Sequence, residues 1–224
     1  MTLYVINPNS SEHVTQGLRD AITPLLSFGC DVSCLTLPEG PPGIETHEHI
    51  DSVIAPLHAL ALSKTDASGF VVACFSDPGV LGLRSQTTLP VLGIREAAVT
   101  GALTLGESFG IIAIRPASIP RHLAAISEMS LTDRCAGDRA IDLGVTELAN
   151  EALALARILE VAKDLRDKDG ADVLILGCAG MAHYRNRIET EIGLPTIDPT
   201  QAAVAMALGR IKLNQMHNPR AQHA

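Results

Sequence analysis

The sequence predicts an α/β protein of two pseudo-symmetric lobes, each a mainly parallel sheet flanked by helices, with a cleft between them. Two observations carry this. Short apolar runs ending in Gly, Pro or Asn alternate with longer helical stretches along all 224 residues, and strands alternating with helices make βαβ units and a parallel sheet. A segment also repeats: LPVLGIREAAVTGAL, from Leu89, and LPTIDPTQAAVAMAL, from Leu194, share seven of fifteen positions without a gap. Upstream, VVACFS aligns with LILGCA when one residue is gapped, which pairs Cys74 with Cys178, and INPNS at 6–10 echoes IRPAS at 114–118. Self-similarity of this kind marks a duplicated unit.

In chain order, strands are expected over 3–9, 30–38, 69–79, 89–94, 109–114, 139–145, 172–180 and 194–199, and helices near 10–28, 46–64, 78–86, 95–106, 117–128, 146–169, 181–192 and 199–214. The first run, LYVINPN, is apolar and stops at Pro-Asn. Asn9, three residues before Glu12, is placed as a cap for the helix that follows. Asp77-Pro78 and Asp198-Pro199 each set a cap candidate before a proline suited to the first helical turn. The tail, NQMHNPRAQHA, is polar and expected to fray.

Apolar residues make up 46% of the chain, enough for a sizeable core, while aromatics are 3% and Trp is absent. Ala, Leu, Ile and Val must therefore fill the interior. So few aromatics argue against stacking on single-stranded nucleic acid, and a net charge of −8 is the opposite of the basic excess that duplex binding uses. No apolar run of about 20 residues suggests a membrane span. The opening MTLYVINPNSS lacks the basic start and apolar stretch of a signal peptide and reads as a first strand. Five cysteines, an odd number, then point to free thiols and the cytoplasm. The expected partners are a small-molecule substrate and further copies of the same chain, not nucleic acid and not a membrane.

Carboxyl ends of parallel strands form a ligand crevice, and Cys74 and Cys178 each stand where an apolar strand stops, in VVAC-FSDPG and LILGC-AGMA. A thiol beside a helix N-terminus gains thiolate character, which suits proton transfer near neutral pH. Inverting a carbon centre needs a base on one face and an acid on the other, and two equivalent thiols on opposite walls of a cleft supply both. Cys30, Cys34 and Cys135 have no such counterpart and read as structural.

These residues resemble the aspartate/glutamate/hydantoin racemase superfamily, and within it the hydantoin and allantoin racemase branch. VINPNSS at 5–11, GPPGIET at 40–46, VVACFSDPG at 71–79, LGIREAA at 92–98 and LILGCAGM at 174–181 carry the resemblance. It implies no cofactor, a catalytic pair Cys74 and Cys178, and an active site in the cleft. It places Pro8 and Asn9 where the first strand meets substrate. It also places Phe75, Ser76, Ala179, Gly180 and Met181 in loops whose N–H groups hold substrate carbonyls, donors of the kind that stabilise an enolate. The last helix is implied to cross back, giving lobes 1–97 plus 199–216 and 98–198, with 217–224 a frayed tail. The chain departs from the branch at Ser76, commonly Gly, and over 115–120, where a more Thr-rich turn is expected.

The implied activity is racemisation of a 5-substituted hydantoin or similar cyclic ureide. Alternatives are another enzyme of the superfamily (an amino-acid racemase, a malonate decarboxylase or a cis–trans isomerase) or a two-lobed binding protein without chemistry. Decarboxylation needs one cysteine rather than two. Amino-acid racemases of the superfamily usually follow their cysteines with Asn-Thr or Thr-His, whereas Phe75 and Ala179 follow here. His47 and His49 in THEHID lie two apart and do not share a helix face, so no metal site is expected there. No Walker A or GxGxxG segment supports nucleotide binding.

Overall fold

A computed structural model describes residues 1–217. Its eight strands are β1 (Thr2–Asn7), β2 (Asp31–Thr36), β3 (Ala67–Val72), β4 (Val91–Gly93), β5 (Phe109–Ala113), β6 (Cys135–Ala140), β7 (Val173–Leu176) and β8 (Thr196–Ile197). They form two four-stranded sheets, ordered β2-β1-β3-β4 and β6-β5-β7-β8, and every pairing is parallel. The chain is α/β with two sheets of identical topology, so the repeat seen in sequence has a spatial counterpart. β3 and β7 hold equivalent central positions, β4 and β8 equivalent edges.

The eight α-helices are α1 (Glu12–Ile22), α2 (His47–Leu62), α3 (Val80–Arg84), α4 (Ile94–Ala102), α5 (Ile119–Glu128), α6 (Glu151–Asp167), α7 (Arg185–Ile192) and α8 (Pro199–His217). Most expected elements stand where the periodicity puts them, and the differences have local causes. Pro24 turns the end of the first helix into a 3-10 segment over Thr23–Phe28, because a ring nitrogen has no N–H to continue the α ladder. Ser11, not Asn9, caps α1: its hydroxyl accepts from Val14 N at 3.3 Å. The sixth strand sits earlier than 139–145. Asp142 has φ +59° and turns the chain, so Ile141, Leu143 and Val145 enter the core as side chains of a loop. Of the tail expected to fray, 214–217 form the end of α8 and 218–224 lie outside the described residues.

α4 and α8 trade places between the sheets. α8 buries Ala203, Val204, Ala207, Leu208 and Ile211 with Leu3, Val5 and Val71 of the first sheet. α4 buries Ala98, Val99 and Ala102 with Phe109, Ile111, Val173 and Ile175 of the second. The shared Ala-Ala-Val of the repeat serves this exchange: short side chains let a helix lie close to a sheet. Each large apolar side chain so buried contributes roughly 1.5–3 kcal/mol.

Candidate active site

Cys74 stands two residues beyond the end of β3, and Cys178 two beyond β7. Both line one cavity of about 40 Å³ between the sheets, with Asn9, Phe75, Ser76, Ala179 and Gly180. The two loops repeat the same local geometry. The N–H three residues on closes a turn onto the cysteine carbonyl, from Asp77 to Cys74 at 2.9 Å and from Met181 to Cys178 at 3.1 Å. The N–H two residues on, of Ser76 and of Gly180, faces the sulfur. The N–H groups between, of Phe75 and Ala179, have no partner among the described residues, which leaves one donor per loop for a ligand.

Burial decides the thiol chemistry. It pushes Cys74 up to about 11, against the pull of the Ser76 N–H. It pushes Cys178 up to about 12, and Cys74, Glu45 and Asp198 add to the rise. Protein surrounds each sulfur while part of each residue stays open to the cavity. The expected help from a helix N-terminus is absent at Cys74, since α3 has five residues and starts at Val80. A 3-10 turn, Ala179–Tyr184, follows Cys178.

Asp77 is a cap, but of another helix than the one expected. Its Oδ1 accepts from Arg95 N at 3.0 Å and its Oδ2 from Glu96 N at 3.1 Å, the first turn of α4. The N-cap position there is Gly93, which has no side chain to offer, and a Cβ on it would meet the Asp77 carboxyl at 2.2 Å. In the second half of the repeat Asp198 occupies the position of Gly93 and caps α8 itself, accepting from Gln201 N at 2.7 Å. The Cys74 loop is therefore pinned to α4 by a borrowed cap, and burial raises Asp77 to about 7 although Arg95 and the two N–H groups oppose the rise.

Two expected contacts lie off the wall. Met181 is fully buried in the core beside the second sheet and its N–H is spent on Cys178. Pro8 is buried and its carbonyl lies against Gly40, where a Cβ would meet it at 2.2 Å. Asn9 is on the wall. Its Oδ1 accepts from Asn7 Nδ2 and Ser11 N, both at 2.9 Å, leaving its amide donor without a partner among the described residues. Asn7, buried and also bonded to Thr15 Oγ1 at 3.0 Å, sets that orientation.

Sequence reasoning missed much of the remaining lining: Ile44, Ser118, Arg121, His122, Val145 and Gly177 also line the cavity. His122 Nδ1 bonds Asp138 Oδ2 at 2.8 Å, and its ring meets Phe75 edge-on at 5.0 Å, fixing the side chain beside Cys74. Gly177 lies so close to β5 that a Cβ would meet Ile112 O at 2.7 Å. The available signal was topological: 114–122 follows the end of β5, at the sheet edge where Cys74 and Cys178 also emerge. A second cavity, of about 470 Å³, shares Val14, Val145 and Gly180 with the first.

The Asp/Glu/Hydantoin racemase family model matches residues 3–207. A hydantoin racemase of Paenarthrobacter aurescens is 32% identical over 220 residues, 95% of this chain and 92% of that protein. One of Rhizobium meliloti is 33% identical over 214 residues, 92% of this chain and 87% of that protein. The structure of an allantoin racemase from Klebsiella pneumoniae superposes with a TM-score of 0.91 at 28% identity, covering 96% of this chain and 89% of that one.

Proposed function

This chain belongs to the Asp/Glu/hydantoin racemase family, and we propose that it racemises a 5-substituted hydantoin or similar cyclic ureide by proton transfer between Cys74 and Cys178. One observation carries the reading: two thiols, at equivalent ends of equivalent strands, line one cavity from different lobes. One thiolate takes the proton from the ring carbon while the other thiol gives one to the opposite face. Product leaves with the two protonation states exchanged, and the reverse reaction starts from that state.

The charge that develops on the ring carbonyl is met by the free N–H groups of Phe75 and Ala179 and by the Asn9 amide. Each well-placed donor to such an oxyanion is worth roughly 3 kcal/mol of barrier. The adjoining 470 Å³ cavity gives the ring substituent room that the 40 Å³ cavity does not. We assign 1–97 with 199–216 to the first lobe and 98–198 to the second, so each lobe brings one cysteine.

A neutral ring fits better than a free amino acid. Arg121 is the cation on the wall, and Ala117 O at 2.8 Å and Glu45 O at 3.0 Å each take one of its Nη hydrogens. The loops after the two cysteines carry Phe75, Ser76, Ala179 and Gly180, with no cation among them, and their N–H groups suit the carbonyls of a neutral ring. Circular dichroism on optically pure 5-substituted hydantoins, allantoin, aspartate and glutamate tests the reading. The expected result is loss of signal with a cyclic ureide at far higher kcat/KM than with either amino acid. Faster racemisation of aspartate or glutamate would overturn the substrate class.

A further inference from the structure

We infer that His122 is a substrate-binding residue whose Nε2 accepts a hydrogen bond from the ring N–H beside the reacting carbon, and that Asp138 is the positioning residue that fixes it. This rests on the cyclic-ureide reading above and sharpens it: the substrate must carry an N–H next to the carbon that inverts. The first support is a buried dyad at the cavity. His122, on α5, lines the same cavity as Cys74 and Cys178, and its side chain and that of Asp138, on β6, are 3% and 0% exposed. His122 Nδ1 lies 2.8 Å from Asp138 Oδ2, while Asp138 Oδ1 is buried with no partner. The Nδ1–H is therefore the one hydrogen this carboxylate receives from the described residues, and a buried carboxylate deprived of it is costly. With the proton held on Nδ1, the neutral ring presents a lone pair at Nε2. Phe75 is buried too and meets the imidazole edge-on at 5.0 Å, so packing fixes the plane of the ring as well.

The second support is the chemistry of what the cavity must hold. Its volume is about 40 Å³, so the reacting carbon and its nearest ring atoms, once inside, touch the lining. In a 5-substituted hydantoin that carbon has two ring neighbours of opposite character: a carbonyl, which accepts, and an N–H, which donates. The unpartnered N–H groups of Phe75 and Ala179 and the Asn9 amide are donors and answer the carbonyl. Donors alone would leave the ring N–H buried and unpaired, at a cost. The thiols stand over the two faces of the carbon and do not lie in the ring plane, where the N–H points. His122 Nε2 is an acceptor on this wall that no described residue engages. The fold duplicates the cysteine turns and their N–H groups. The dyad has no such duplicate to serve, because the two sides of the ring differ within its plane even though its two faces exchange.

The test compares 5-benzylhydantoin with 3-benzylsuccinimide, which keeps the imide and has CH₂ in place of that N–H, by circular dichroism at pH 8. Each rate is divided by the compound's own rate of racemisation in buffer. The wild type is expected to prefer the hydantoin by at least about ten-fold in normalised kcat/KM, the scale of one hydrogen bond. His122→Leu should bring the preference within about two-fold. Asp138→Asn should erase it too, because an amide that donates to Nδ1 moves the ring proton to Nε2. A purely structural dyad would slow both compounds alike and keep the ratio. No preference in the wild type overturns the inference whether or not the variants fold, and a preference that survives in either variant overturns the role of the dyad. Nitrogen NMR of ¹⁵N-histidine-labelled protein reads the same claim without turnover. The His122 signal, assigned by its loss in His122→Leu, should show a lone pair at Nε2 and shift with 5-benzylhydantoin but not with 3-benzylsuccinimide. A proton on Nε2, or equal shifts with both compounds, overturns the inference. The selective shift in a protein that racemises neither compound would sink the functional reading and leave this inference standing.

Discussion

At the scale of single residues, the two cysteines were legible because they repeat, and their titration was not. A strand end followed by small residues suggested helix-terminus help for the thiolate, but desolvation dominates and both thiols rise, to about 11 and about 12. The sign of the pH dependence follows. A base that must lose its proton, with a raised pKa, is scarce at neutral pH, and a thiol near 11 is ionised to roughly one part in ten thousand at pH 7 and ten times more per unit upward. We expect kcat/KM to climb steadily between pH 6 and 8, measured by initial rates of racemisation; a plateau or a fall across that interval would show a thiolate already formed. Arg121 was invisible because no motif carries it: its meaning comes from Glu45, 76 positions earlier, and single-chain patterns do not encode such meetings.

At the scale of elements, hydrophobic periodicity and proline placement located nearly every strand and helix, since both are local. Caps were harder, because a cap oxygen need not come from the neighbouring residue. Asn9 looked like the cap of α1 and instead orients the wall, while Ser11 caps. Asp77 looked like the cap of α3 and instead caps α4 across the loop. Asp77→Ala is therefore expected to cost about 0.5–2 kcal/mol and to lower racemisation, because it frees the Cys74 loop. Gly93→Ala should do the same without removing any polar group, since its Cβ would displace the Asp77 carboxyl. Gly209→Ala, in α8 with nothing within 4 Å of the added Cβ, should instead stabilise by roughly 0.5–1 kcal/mol. Thermal melts of the three variants give the comparison; equal effects at Gly93 and Gly209 would show that the borrowed cap is unimportant.

At the scale of the whole molecule, the repeat declared two similar halves, and the sheets bear that out with one strand order used twice. The exchange of α4 and α8 ties the halves together: each sheet buries a helix that follows the other half's edge strand. Removing either helix exposes the apolar face of a sheet, so the chain is expected to unfold in one cooperative transition. Urea titration followed by far-ultraviolet circular dichroism and by tyrosine fluorescence should give coincident curves, whereas two separated transitions would mean that the lobes are independent. No described helix is long and apolar enough to cross a membrane.

The central claim is that two thiols serve opposite faces of one carbon, and isotope exchange tests it most directly. Each enantiomer of a racemised hydantoin is incubated in D₂O with Cys74→Ser, Cys178→Ser and, as a control, Cys135→Ser, whose thiol lies on β6 and does not line the cavity. Deuterium at the ring carbon is followed by proton NMR. The account predicts that Cys135→Ser racemises as the parent does. Each of the other variants should lose racemisation by at least about a thousand-fold, the scale of losing a general acid or base, while exchanging the proton of one enantiomer only, and the opposite one for the two variants. Exchange of the same enantiomer by both, or racemisation surviving in either, would contradict the two-thiol mechanism.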